Sequence, residues 1–245
     1  MSLTLESAMA EVKVCTKEPQ ITLVRFHTPQ RCLSWAPWNG GLKTDIRLVA
    51  NRTLGENEGY PDEASRLAQW AKRDLVARGL LPEESVGMLT TVPQAAICMG
   101  SRQDRGTGLK VETFCTLGLG NALAPGDGAL YNEELGTGKT KPGTINLIVA
   151  VNRGLAECAQ YELMSVITQA KCAVLLRHGK KSRVSGNICL GTGTDCIAIL
   201  APQSHEVTLN YAGLHCKLAE VTAQSVMQAV AKALEVHLSH IASLR

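Results

Sequence analysis

Apolar residues fall in short runs through the first half of the chain, with turn residues between them. "ITLVRF" (21–26) and "DIRLVAN" (45–51) have the density and bounds of strands. "LSWAPWNGGL" (33–42) stands between them as a loop. Pro61 and Asp62 introduce a different rhythm: Ala64, Leu67, Ala68, Ala71, Leu75 and Val76 recur near helical spacing, with acids early and Gly79 after the end. That predicts a helix. Three β-rich runs follow, "VGMLTTV", "AAICMG" and "LKVETFCTLGL", and connections this short predict antiparallel neighbours. The loop 120–143 is long and glycine-rich for the interior of a domain, which makes it a candidate site element.

In the second half, "TINLIVAVN" (144–152) is too apolar to leave one face in water, so it belongs in the middle of a sheet. "LAECAQYELMSVITQAK" predicts a helix and "CAVLLRHG" a strand, which together complete a β-α-β unit. "SGNICLGTGTD" then leads to a strand at "CIAILAP". The last helix carries Leu218, Val226, Val230, Leu234, Leu238 and Ile241 along one side, a stripe that needs a sheet face to cover it. Helices separated by groups of hairpin-connected strands give an α+β fold: a mixed, largely antiparallel sheet with helices packed on it, including a long C-terminal helix. The 245 residues are expected to form one domain, 1–245.

Composition narrows the function. The net charge of +3 comes from interspersed charges of both signs, so no nucleic-acid partner is expected. The basic run Arg177, His178, Lys180, Lys181 and Arg183 reads as a solvated turn. Nine cysteines at irregular spacing without CxxC suggest reduced thiols and a cytoplasmic location. No apolar run approaches membrane-spanning length, so no membrane association is expected.

Familiar nucleotide motifs fail. "GTGKT" (136–140) would need a glycine where Glu133 stands, and neither Gly118/Gly120 nor Gly191/Gly193 completes a dinucleotide fingerprint. His237 and His240 lack a third ligand at metal spacing and read as part of a solvated chain end, so no metal is assigned. Small polar residues at strand ends give a better signal. Thr144, Asn146, Thr192, Thr194 and Asp195 all border apolar strands, where rigidly held hydrogen-bonding groups can converge on a pocket.

The ordered set "APWNGGL", "GMLTTVP", "TLGLGNALAPGD", "PGTINLIV", "GTGTDCIAI" and "YAGLHCKLAE" resembles the adenosylcobinamide amidohydrolase family from about Leu33 to Leu234. The resemblance implies hydrolysis of the amide joining aminopropanol to the corrin ring, giving adenosylcobyric acid for corrinoid salvage. The corrinoid is then substrate, and no cofactor is required. A corrinoid-binding protein without chemistry, an amidase for another small molecule, and a homo-oligomeric assembly stay open. Trp35 and Trp38 stand where small or aliphatic residues are usual, and are either a stacking wall for a flat macrocycle or core.

Amide hydrolysis needs an attacking group, oxyanion donors and an acid for the leaving amine. His215 is the candidate for proton transfer, with Asp195 as its partner or as base if the "GTGTD" loop meets the start of the last helix. A helix starting near Leu214 would put His215, Cys216 and Lys217 in its first turn, where free N–H groups favour an anion. Glu220, about 140° around the helix from His215, is assigned to orienting Lys217 or a neighbouring loop. A direct Cys216–His215 pair is not expected, since neighbouring helical residues diverge by about 100°. Asn121 and Asn146 are oxyanion or amide contacts, with Thr192, Thr194, Lys217, Asn39, Gly40 and Gly41 as further substrate contacts. Thr144, following a glycine at a strand start, is the alternative to water as nucleophile if the chain is cut before it.

Overall fold

The apolar runs form nine strands of one sheet: β1 (Ser2–Leu5), β2 (Glu11–Cys15), β3 (Ile21–Ser34), β4 (Gly41–Thr53), β5 (Ser85–Thr90), β6 (Cys98–Gln103), β7 (Lys110–Leu117), β8 (Ile145–Val151) and β9 (Cys196–Pro202). The computed structural model describes residues 2–55, 69–70, 73–135, 137–138, 143–203 and 206–243. β3 is the hub. Its 14 residues carry β4 along one edge, while β2 pairs with Ile21–Arg25 and β9 with Gln30–Ser34 on the other. Beyond β9 the order is β8, β7, β6. Among the described residues of this sheet, only the β4–β5 and β8–β9 pairs are parallel.

The sheet curls until β5 faces β8: Trp38 bridges to Gly87, and the Asn146 side chain of β8 reaches the Leu89 carbonyl of β5 at 3.0 Å. β8 therefore has two apolar environments. Leu147 and Val149 face the helices α1 (Glu157–His178) and α2 (Lys217–Ser243), while Ile148 and Ala150 point into the curl with Phe114, Val49 and Met88. Alternation along one strand thus feeds two cores, which is why its sequence shows no polar face. The last-helix stripe is buried from Leu218 to Leu234, and Leu238 beyond it is exposed. A Cβ on Gly100 of β6 would collide with the α2 backbone at Ser225, so this glycine sets how closely helix and sheet approach.

The α+β expectation holds, with a mixed sheet and a long C-terminal helix. Three local expectations are corrected. The strand read at Cys172–Gly179 is the last third of α1, which runs 22 residues to His178 and closes on Gly179 at φ 71°. β9 is therefore the strand that completes the β-α-β unit. β5 pairs in parallel with β4 and not with β6, because the 31 residues between β4 and β5 allow a crossover that the shorter link to β6 does not. Half of the helix read over 62–79 lies outside the described residues; of the rest, Gln69, Trp70, Arg73 and Asp74 are helical and a 3-10 turn, Val76–Arg78, ends at Gly79 with φ 69°.

Candidate active site

β7 ends where β8 and β9 begin, with Leu117 opposite Ile145 and Cys196 opposite Asn146. The loops on these strands meet. Ala122–Leu123 pairs antiparallel with Gly191–Thr192, which ties the loop after β7 to the loop before β9. The segment before β8 fits between them: a Cβ on Gly143 would stand 2.5 Å from the Asn121 nitrogen and 2.7 Å from that of Gly120. Gly143 has φ 139°, a conformation open to glycine and few other residues.

Asp195 is the knot of this junction. Its Oδ1 accepts the Ile145 N–H at 3.2 Å, the Thr192 N–H at 3.1 Å and the Thr192 hydroxyl at 2.5 Å. Its Oδ2 accepts the ammonium of Lys171, which α1 delivers with only 8% of its side chain exposed. Gly191 leaves the room for this pair, since a Cβ there would be 2.5 Å from Asp195 Oδ2 and 2.8 Å from Lys171 Nζ. With four donors the carboxylate binds two strand starts together.

Thr144 and Thr194 interlock beside it. The Thr144 hydroxyl donates to the Thr194 carbonyl at 2.5 Å, and the Thr194 hydroxyl donates to the Gly143 carbonyl at 3.1 Å. Asn146, also buried, lies 3.4 Å from the Thr144 hydroxyl through Oδ1 and donates through Nδ2 to Asn51 Oδ1 at 2.8 Å. Asn51 in turn donates to Thr116 at 3.0 Å. This chain of hydrogen bonds crosses the inside of the curl and fixes the strand ends. Asn121 is buried against Gly193, whose Cβ would be 2.7 Å from its Nδ2.

The two tryptophans divide. Trp38 packs in the cluster around Trp70 and donates to the Pro82 carbonyl at 3.3 Å. Trp35 is half exposed and donates to the Asp195 carbonyl at 2.7 Å, which puts an indole beside the junction. Asn39 uses its amide on the carbonyls of Glu83 and Ser85, at 3.2 and 2.9 Å. Gly40 packs against the Ala36 backbone, and Gly41 turns the chain at φ 97°. These three residues shape the β3–β4 hairpin tip, with Asn39 committed to backbone partners. The cysteines among the described residues are unpaired, and burial pushes the Cys32 and Cys196 thiols up to about 12 and Cys115 well above its usual range.

His215 is not in this junction. α2 runs alongside β7 in the same direction: Lys217 lies 3.9 Å from Asp104 just before β7, and His237 meets the Leu119 N–H at 3.4 Å just after it. The start of α2 and the Asp195 junction therefore sit at opposite ends of β7 and β8, about 20 Å apart along a seven-residue strand. This corrects the expected Asp195–His215 partnership. The helix also starts later than expected, at Lys217, because Cys216 N–H bonds to the Gly213 carbonyl in a preceding turn. In that turn His215 is exposed and Cys216 Sγ lies 3.6 Å from its Nε2, a contact that helical spacing forbids. Glu220 does hold Lys217, at 2.6 Å. A cavity of about 500 Å³ adjoins the turn, lined by Leu109, Arg153, Leu209, Tyr211, Cys216 and Lys217 among others.

Lys171, Asn51 and Thr116 were not read as site residues from the sequence. Lys171 had a signal: it falls four residues after Ile167, on the stripe that buries Leu163 and Ile167. His237, read as part of a solvated end, is half-buried beside Leu119; burial, then Lys180, His240 and His178, hold its pKa below the ordinary 6.5.

Comparison with known proteins gives the class first: the chain is an amidohydrolase, an enzyme of C–N amide bonds. It belongs to the adenosylcobinamide amidohydrolase family, whose model matches residues 5–242. A curated adenosylcobinamide amidohydrolase from Halobacterium salinarum is 25% identical over 205 residues, covering 81% of this chain and 78% of that one. Two solved structures are similar at lower identity. One is a Burkholderia sp. β-aminopeptidase, 16% identical with a TM-score of 0.48, covering 96% of this chain and 82% of that one. The other, from Pyrococcus horikoshii OT3, is 12% identical with a TM-score of 0.42, covering 96% and 83%. No helix among the described residues is long and apolar enough to cross a membrane.

Proposed function

We propose that this chain hydrolyses the amide that joins aminopropanol to the corrin ring of adenosylcobinamide, leaving adenosylcobyric acid for corrinoid salvage, and that it does so at the junction around Thr144. The family supports the substrate. The observation that carries the site is the interlock of Thr144, Thr194 and Asn146, with Asn121 packed against Gly143 and Gly193, at the strand starts that the Asp195–Lys171 pair holds.

In this reading Thr144 Oγ attacks the amide carbonyl carbon, and aminopropanol leaves as the C–N bond breaks. Water then hydrolyses the ester on Thr144. The Thr194 hydroxyl and the neighbouring amides of Gly120 and Asn121 supply donors for the oxyanion, and Asp195 with Lys171 keeps both strand starts in place. Trp35 offers its exposed face to the macrocycle.

The second reading has its own observation, the 3.6 Å contact of Cys216 and His215 beside the 500 Å³ cavity. A thiol with an imidazole at hand is a nucleophile with its base. Release of aminopropanol from adenosylcobinamide, followed by mass spectrometry, separates the two. The Thr144 site requires Thr144→Ala to lose about a thousandfold or more in turnover while His215→Ala and Cys216→Ala stay within a few-fold of the parent. The opposite pattern moves the chemistry to the start of α2.

A further inference from the structure

In the intact chain the partners of the Thr144 hydroxyl are a backbone carbonyl and an amide oxygen, and neither is a base. What surrounds the Gly143–Thr144 peptide is more informative. Gly143 is held at φ 139°, where the junction leaves no space for a side chain. Its carbonyl accepts a hydrogen bond from the Thr194 hydroxyl at 3.1 Å, which polarises that bond. The Thr144 carbonyl is held by the Gly118 N–H at 2.9 Å, and the following Ile145 N–H by Asp195. The peptide is thus clamped on both sides, with a hydroxyl one residue beyond a polarised, conformationally confined carbonyl.

We infer that the chain cuts itself between Gly143 and Thr144, and that the freed α-amine of Thr144 is the base for its own hydroxyl. Thr144 Oγ attacks the Gly143 carbonyl carbon, the C–N bond breaks as the C–Oγ ester forms, and the hydroxyl proton ends on the departing nitrogen. One water hydrolyses the ester, leaving a Gly143 carboxylate and an N-terminal Thr144. Thr194 serves as the donor to the oxyanion. The inference deepens the reading of this junction as the hydrolytic site and rests on it.

Intact mass of the purified full chain, followed over time, tests it apart from the amidase assay. The expected result is two fragments, residues 1–143 and 144–245, whose masses sum to the intact chain plus one water. Sequencing of the second fragment should begin at Thr144. Thr144→Ala should stay whole, Thr144→Ser should be cut, and Thr194→Val should be cut at least about tenfold more slowly. Melting temperatures of the variants check that Thr144→Ala is folded. A parent that releases aminopropanol while remaining one 26.2 kDa species overturns self-cleavage and leaves the amidase reading standing. A parent cut at Gly143–Thr144 that releases no aminopropanol keeps self-cleavage and removes that substrate. Cutting of folded Thr144→Ala at the same bond also overturns the inference, since it would come from another agent.

Discussion

At the scale of single residues the junction depends on a buried charge pair. Lys171 and Asp195 are 8% and 12% exposed, and each is costly to bury without the other. Lys171→Met leaves the carboxylate with its three neutral donors and no counter-charge. It should lower unfolding stability by about 3 kcal/mol in urea titrations. Adding Asp195→Asn to that variant removes the orphaned charge and should recover part of the loss. A double variant at least as unstable as the sum of its parts would mean that the two charges do not couple. Glycines act at the same scale by absence: Gly191 makes room for this pair and Gly143 for two backbone amides. Their role is invisible in a single sequence, where both pass as turn residues.

Elements place these residues, and the errors of sequence reading lie there. From β3 onward the strands were legible because apolar runs bounded by turn residues have few other solutions, whereas β1 and β2 were not read from the sequence. The end of α1 was not, since "CAVLLRH" is short, apolar and β-branched enough to suit either state. Length decided: as part of a 22-residue helix it carries Leu175 into the core that Leu163 and Ile167 share. Reading the helix as ending at Lys171 hid that this lysine projects from a buried face. At the other helix, the C-terminal turns of α2 bring His237 to the strand end. Its folded pKa lies below 6.5, so the unfolded chain binds more protons in the window just beneath that value. Stability is then fully present above pH 6.5 and falls as the solution is acidified through the window. Urea midpoints at pH 5, 6 and 7.5 should show this fall, and His237→Gln should flatten it. An unchanged slope in the variant would assign the effect to other groups.

For the whole molecule, the question is which ends of the elements meet. That glycine-bearing loops gather at the starts of β8 and β9 was legible, because rigid polar residues at the ends of buried strands have few places to go. That the start of α2 lies elsewhere was not legible. Nothing local in "YAGLHCKLAE" says which way the helix runs along β7; the match of Ser225 to Thr113 and of His237 to Leu119 does. Parallel travel of helix and strand puts His215 and Asp195 at opposite ends of the fold. Sites so far apart, with no shared partners, are energetically independent to within about 0.5 kcal/mol. The double variant His215→Ala with Asp195→Asn should therefore lose activity by the product of the two single losses. A coupling above about 1 kcal/mol, in turnover or in urea stability, would require the two residues to share one site and would overturn this placement.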